Sequence, residues 1–251
     1  MKNFLLQNDK YWSNRAEGYS KVNIDELHSI KKKEWIEVIK SNIPSVNKNI
    51  KVLDIGTGPG FFAILMASMG LDTTAIDYND EMLNKAKENS GEYKNSIKFM
   101  KMDAHELEFE DNTFDLIVTR NLTWNLKDPI KAYKEWHRVL NKGGRMINFD
   151  ANWYNHLFND KKRKEYEKDR ENVANSKFED HYTCTDIDEM EDIAKKLPFS
   201  KINRPSWDIK ELYSLGASKV LVEENIGERL WSEEEKLNYA STPMFMIVSE
   251  K

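Results

Sequence analysis

The sequence predicts an α/β chain: a mostly parallel sheet with helices on both faces and a helical insertion late in the chain. Three observations predict it. Between residues 51 and 150 short apolar runs alternate with helical patterns, the order that parallel strands with crossover helices produce. The first run, Lys51–Ile55, stops at a glycine-rich turn, Gly56-Thr57-Gly58-Pro59-Gly60, and a long apolar stretch follows at 61–69. The alternation then fails over 150–200, where charged helical patterns take over.

In chain order, residues 1–50 read as an amphipathic helical cap, with Ile24, Leu27, Trp35, Ile36 and Ile39 near helical spacing and Pro44 ending the pattern. Strands follow at Lys51–Ile55, Asp72–Asp77, 97–102, 114–119 and 145–149. Helices are expected at 61–69, closed by Gly70; at 80–88, capped by Asp80; and at 129–140, opened by Pro129. Gly143-Gly144 reads as the turn before the fifth strand. A charged helix at 160–172 and a second at 186–196 make 151–200 the candidate lid over the sheet's carboxyl edge. A helix at 208–215, a strand at Lys219–Glu223, a polar segment and a strand at 243–248 complete the sheet over 201–251.

At 251 residues the chain fits one domain with an insertion. Its net charge of −5 argues against a nucleic-acid or membrane-surface partner, since phosphate binding needs a basic face. The one cysteine, Cys184, cannot pair within the chain, which points to a reducing compartment and excludes a Cys-rich zinc site. Phe4-Leu5-Leu6 is too short for a signal peptide, and 61–69 is too short for a membrane span. The expectation is a cytoplasmic protein.

A ligand approaches the backbone at the glycine turn, and Asp54 stands beside it. A dinucleotide loop, G-x-G-x-x-G, would need glycine at 61, where Phe61 stands. What is present is D-x-G-x-G-x-G: Asp54, Gly56, Gly58, Gly60. It resembles the first motif of class I S-adenosylmethionine-dependent methyltransferases. Asp77 ends the second strand about 20 residues on, where an acid can accept from two ribose hydroxyls. The run from Asp103 to Asp115 resembles the family's D-A-x-x-L-P-F-x-D-x-x-F-D, with Glu108 for proline. Arg138-Val139-Leu140-Asn141-Lys142-Gly143-Gly144 resembles R-V-L-K-P-G-G, with Lys142 for proline.

The resemblance covers residues 50–150 and, in outline, the tail. It implies a Rossmann-like seven-stranded sheet whose last strand runs antiparallel between the fifth and sixth, with 51–150 as the cofactor-binding core of a single methyltransferase domain. It implies S-adenosylmethionine as cofactor. Asp54, Gly56, Thr57, Gly58 and Gly60 would hold its amino-acid end, Asp77 its ribose, and Tyr78, Met82, Asp103, Ala104 and His105 its adenine. Asn121 would approach the methionine part.

Methyl transfer is an in-line displacement, and a base is needed only for a protonated acceptor, so catalytic residues are less legible. Three groups are candidates. The stretch Tyr11 to Tyr19 resembles the W-x-x-x-A-x-x-Y opening of small-molecule methyltransferases, and Tyr19 either reaches the methyl group or packs its helix on the sheet. Trp124 stands where many relatives carry histidine, and offers an aromatic wall for a cationic or apolar acceptor, or packing alone. Past the fifth strand, His156 is the candidate base or a satisfied structural histidine. The five histidines show no metal-ligand spacing, so no metal is expected. The expected function is methyl transfer to a small molecule. An RNA or protein methyltransferase and a non-catalytic cofactor-binding regulator are the alternatives.

Overall fold

Val52, Leu53 and Ile55 are fully buried, as a strand covered on both faces requires. They belong to β1 (Lys51–Ile55), an interior strand of a seven-stranded sheet with β2 (Asp72–Asp77), β3 (Ile97–Lys101), β4 (Phe114–Arg120), β5 (Leu140–Asp150), β6 (Lys219–Glu223) and β7 (Phe245–Glu250). The computed structural model describes residues 2–44, 49–182 and 185–251. The strand order is β3-β2-β1-β4-β5-β7-β6. Pairing is parallel from β3 to β5, and β7 runs antiparallel to both β5 and β6. Apolar content follows position: β4 is buried along almost its whole length, while β6, at the edge, alternates between exposed and half-buried.

The N-terminal segment forms α1 (Lys2–His28) and α2 (Lys31–Asn42). On one face of the sheet Trp35 of α2 meets Phe61 and Phe62 of α3 (Phe61–Ser68) and Phe149 of β5, with ring centroids 5.0–5.4 Å from Trp35. Trp35 is fully buried, so truncation to alanine would cost about 3–5 kcal/mol. On the other face Tyr133 and Trp136 of α5 (Pro129–Val139) pack against the sheet. A third, smaller cluster joins Tyr11, Trp124, Met190, Ile193 and Leu197 outside the main sheet core.

Several expectations are corrected. The cap of α4 (Asp80–Asn89) is Asn79, whose side chain accepts from Met82 N at 2.9 Å; Asp80 instead pairs with Lys101 at 2.5 Å. Gly143-Gly144 does not precede β5 but lies within it. There Gly143 donates to Lys251 O at 2.8 Å and Gly144 accepts from Lys251 N at 3.1 Å, so the chain's end continues the ladder. The segment 150–200 holds α6 (Asp160–Ala174) and α7 (Ile187–Ala194), followed by α8 (Ser206–Ser214). The stretch between β6 and β7, expected to be merely polar, contains α9 (Gly227–Leu230) and α10 (Glu233–Asn238), the latter opened by a capping box at Ser232 and Glu235. Cys184 lies outside the described residues. No helix among the described residues is long and apolar enough to cross a membrane.

Candidate functional site

The turn after β1 is forced by what surrounds it. Gly56 has φ +67°, and a Cβ there would stand 2.8 Å from Leu122 Cδ1. The loop backbone is tied to the next strand, because Gly58 N donates to Asp77 Oδ2 at 2.8 Å. Asn79 N donates to Asp77 Oδ1 at 2.9 Å, and a carboxylate's four acceptor positions leave room for a further donor. Asp54 is buried and accepts from the Thr57 hydroxyl at 2.6 Å. Burial pushes its carboxyl up to about 7, and burial pushes Asp77 up to about 6. Asp103 goes the other way: hydrogen bonds from His105, through both Nδ1 (2.6 Å) and its backbone N–H (2.8 Å) to Oδ1, hold it below the usual carboxylate range. His105 Nε2 accepts from Asp128 N at 3.3 Å, so both ring nitrogens are engaged within the protein.

These groups line a cavity of about 150 Å³ beyond the carboxyl ends of β1, β2 and β4, where ligands of open α/β sheets bind. Helix α1 supplies the opposite wall. Asn79 fixes that helix by donating through Nδ2 to Asp9 O, Asp9 Oδ1 and Ser13 Oγ at 2.8–2.9 Å. Arg120, at the end of β4, fixes it again through Glu26 at 2.7 Å and Asn23 at 3.0 Å, with its guanidinium 3.9 Å from the centre of the Phe61 ring. Asn8 Oδ1, Trp12 Nε1, Asn121 Oδ1 and Asn125 Oδ1 are buried without a hydrogen-bond partner, and all four residues line this cavity. Each such atom costs about 1–3 kcal/mol unless a ligand satisfies it. Asn121 also holds a left-handed backbone, φ +54°, the kind of strain that clusters at functional sites.

A second cavity of about 140 Å³ adjoins the first and shares Trp12, Tyr19 and Asn121 with it. Its remaining wall is largely aromatic, including Trp124, Trp153, Tyr154, Tyr182 and Tyr239. Burial pushes the Tyr154 and Tyr182 phenols up, so they remain hydrogen-bond donors at neutral pH.

The expected residues divide accordingly. Asp54, Gly56, Thr57, Gly58, Asp77, Tyr78, Met82, Asp103, Ala104, His105 and Asn121 line the first cavity, Trp124 the second, and Tyr19 both. Gly60 and His156 line neither. Gly60 has φ +95° and packs on α4, where a Cβ would come within 3.1 Å of Ala86. His156 is buried, stacked on Tyr166 at 4.1 Å, and 3.4 Å from Glu191; burial lowers its pKa. The histidine lining the second cavity is His181, 3.0 Å from the Tyr239 hydroxyl and 3.3 Å from Glu234. Among the described residues no cluster of His, Cys, Asp and Glu could hold a metal. Beyond the Tyr11–Tyr19 stretch, α1 also supplies Phe4, Asn8 and Asn23, which the motif does not mark although with Trp12 and Tyr19 they recur every three or four residues or its double, the signature of one helix face.

Residues 53–148 match the family model described as a methyltransferase domain. Over those residues the chain is similar to a methyltransferase domain. The chain is 36% identical over 129 residues to a Rickettsia prowazekii ubiquinone/menaquinone biosynthesis C-methyltransferase UbiE, covering 48% of this chain and 50% of the relative. It is 34% identical over 119 residues to a Staphylococcus aureus demethylmenaquinone methyltransferase, covering 46% and 48%. The chain thus spans about half the length of the curated relatives it matches. The methyltransferase fold extends further than the sequence likeness. A Methanococcus maripaludis structure assigned to the S-adenosyl-L-methionine-dependent methyltransferases superposes with TM-score 0.60 at 19% identity, covering 95% of this chain and 93% of the other. Haemonchus contortus phosphoethanolamine N-methyltransferase 2, in complex with S-adenosyl-L-methionine, superposes with TM-score 0.61 at 18% identity, covering 87% and 52%.

Proposed function

We propose that the chain is an S-adenosylmethionine-dependent methyltransferase acting on a small, flat aromatic acceptor of the quinol type. The observation that carries this reading is the meeting of two cavities, one that gathers the acids Asp54, Asp77 and Asp103 and one walled largely by aromatic rings, at Trp12, Tyr19 and Asn121. The acid-lined cavity fits the cofactor. Asp77 offers acceptors for a ribose diol, Asp103 and Ala104 flank the place for adenine, and Asp54 faces the amino-acid end with Arg120 on the same wall. The partnerless oxygens of Asn8, Asn121 and Asn125 fit a ligand bearing several donors. When bound, the cofactor supplies an electrophilic methyl group. The chain's own part is to exclude water with α1, to hold the acceptor against the shared wall, and to keep both in line.

The aromatic wall and the names of the curated relatives support a quinol acceptor; the protonated phenols of Tyr154 and Tyr182 would donate to its ring oxygens. Segment 151–200 contributes Trp153, Tyr154, Tyr182 and Met190 to that wall, which supports its reading as a lid. Calorimetry with S-adenosylhomocysteine tests the cofactor, and the absence of heat from folded protein at high micromolar concentration would sink it. Mass spectrometry of 1,4-naphthoquinol incubated with protein and S-adenosylmethionine tests the acceptor. A gain of one methyl group is expected; cofactor binding without transfer to any quinol or phenol would overturn the acceptor class alone.

A further inference from the structure

Asp150 ends β5, and its side chain is fully buried. Its two oxygens reach two of the segments that wall the second cavity. Oδ2 accepts from the backbone N–H of Trp124 at 2.8 Å and from the Thr123 hydroxyl. Oδ1 accepts from the indole N–H of Trp153 at 3.0 Å and from Ala151 N at 2.9 Å. Trp124 follows β4 and Trp153 follows β5, so one carboxylate sets the spacing of two segments that no strand pairing joins. Asp150 itself lines neither cavity.

The charge is balanced from outside the core motifs. Arg204 donates through one terminal nitrogen to Asp150 at 2.6 Å, and through Nε and its other terminal nitrogen to Asp208 at 2.7–3.1 Å. The Tyr133 hydroxyl donates to Asp208 at 2.6 Å. All three charged side chains have zero exposure. A buried cluster of this kind rarely stabilises a fold more than apolar residues of the same shape would, so its two carboxylates invite a comparison of what each one touches. Asp208 reaches Arg204 and Tyr133. Asp150 reaches the cavity walls.

We propose that Asp150 is a positioning residue: through Trp124 and Trp153 it sets the aromatic wall of the second cavity, and Arg204 holds it in place. The proposal rests on the acceptor reading only for what the wall receives. Its test needs no acceptor. Protein labelled with 5-fluorotryptophan gives 19F lines for Trp124 and Trp153, assigned with Trp124→Phe and Trp153→Phe. Asp150→Asn and Asp208→Asn each remove one buried negative charge and leave Arg204 one carboxylate, so they are matched.

Asp150→Asn is expected to shift or broaden both lines. Asp208→Asn is expected to leave both in place and to be felt at Trp207, which packs on Tyr133 with centroids 6.0 Å apart. Unmoved lines in Asp150→Asn, or equal displacement by Asp208→Asn, would overturn the proposal and leave the cluster a fold-holding one. Asp150→Glu keeps the charge but lengthens the reach; it should displace the same two lines, and it serves where Asp150→Asn does not fold. Wild-type protein that binds no S-adenosylhomocysteine would sink the proposed function while the fluorine comparison still decides this inference.

Discussion

The two cavities share three residues and differ in how the chain builds them. The first takes its charged groups from strand ends or just past them: Asp54 next to the last residue of β1, Asp77 at the end of β2, Asp103 after β3 and Arg120 at the end of β4. Each is fixed by backbone hydrogen bonds or by a helix that the strand order puts there. The second takes its walls from α1, from the turn at Thr123–Asn125, and from scattered positions between Trp153 and Tyr239. Its walls are rings held by packing and by one buried carboxylate. An acid-lined site made of strand ends is dictated by topology. An aromatic site made of loops can change its occupant without disturbing the sheet.

The largest expected effect lies in the first cavity. Asp77 bonds the glycine loop and would hold the ribose, so Asp77→Ala removes both at once. Hydrogen bonds to a charged group are worth about 1.5–3 kcal/mol, so S-adenosylhomocysteine affinity should fall about 10- to 100-fold. Calorimetry on folded variant protein measures it. Unchanged affinity would mean that the acid-lined cavity is not the cofactor's.

A pH series sharpens the same contrast. Burial raises Asp54 to about 7 and Asp77 to about 6. A carboxyl raised this way is protonated in the folded chain while its unfolded counterpart is ionised. Its contribution to stability is therefore greatest in acid and is lost as pH rises through about 7. A ligand carrying positive charge prefers the ionised form. Affinity for S-adenosylhomocysteine should then drop about tenfold between about pH 8 and about pH 6, and Asp54→Asn should flatten most of that slope. A slope that persists in Asp54→Asn would place the titrating group elsewhere. Nothing comparable is expected from the second cavity's phenols, which burial pushes upward.

The same contrast explains what the sequence disclosed. Lys51–Ile55, Asp72–Asp77 and Lys219–Glu223 carry their own bounds, because each apolar or alternating run is interrupted by a turn residue or a charge. The three acids were legible since loop and strand end are adjacent in sequence. β5 was read too short, because a glycine pair signals a turn whereas here it meets Lys251, far away in the chain. α9 and α10 escaped notice: they are short, and α10 is held by a cap, with no apolar stripe to betray it. The sequence leaves His156 either a candidate base, for standing near a strand end, or a satisfied structural histidine; what decides its side-chain direction is Tyr166 and Glu191, partners some 10 and 35 positions on. His181, in the second cavity, lies far from any strand end and gave no signal.

That pair of histidines separates a cavity-lining side chain from a packed one. His156→Gln should lower stability by about 1–2 kcal/mol, as lost buried packing does, with turnover per folded molecule nearly unchanged. His181→Gln should leave S-adenosylhomocysteine affinity alone and lower turnover of any accepted quinol several-fold. Urea unfolding and a single-turnover assay read the two effects. Equal loss of turnover in both variants would show that the second cavity does not receive the acceptor.

The smallest effect is expected at the wall that both cavities share. Asn121 pairs a left-handed backbone with a buried side-chain oxygen that has no partner. Both features cost stability without a ligand. Glycine accepts the backbone and removes the oxygen, although it also loosens the unfolded chain. Asn121→Gly should therefore leave stability unchanged or raise it by up to about 1 kcal/mol, while S-adenosylhomocysteine affinity falls several-fold. Thermal unfolding and calorimetry on the same sample separate the two. A variant that loses stability and keeps affinity would make Asn121 an ordinary turn residue, and the shared wall would then rest on Trp12 and Tyr19 alone.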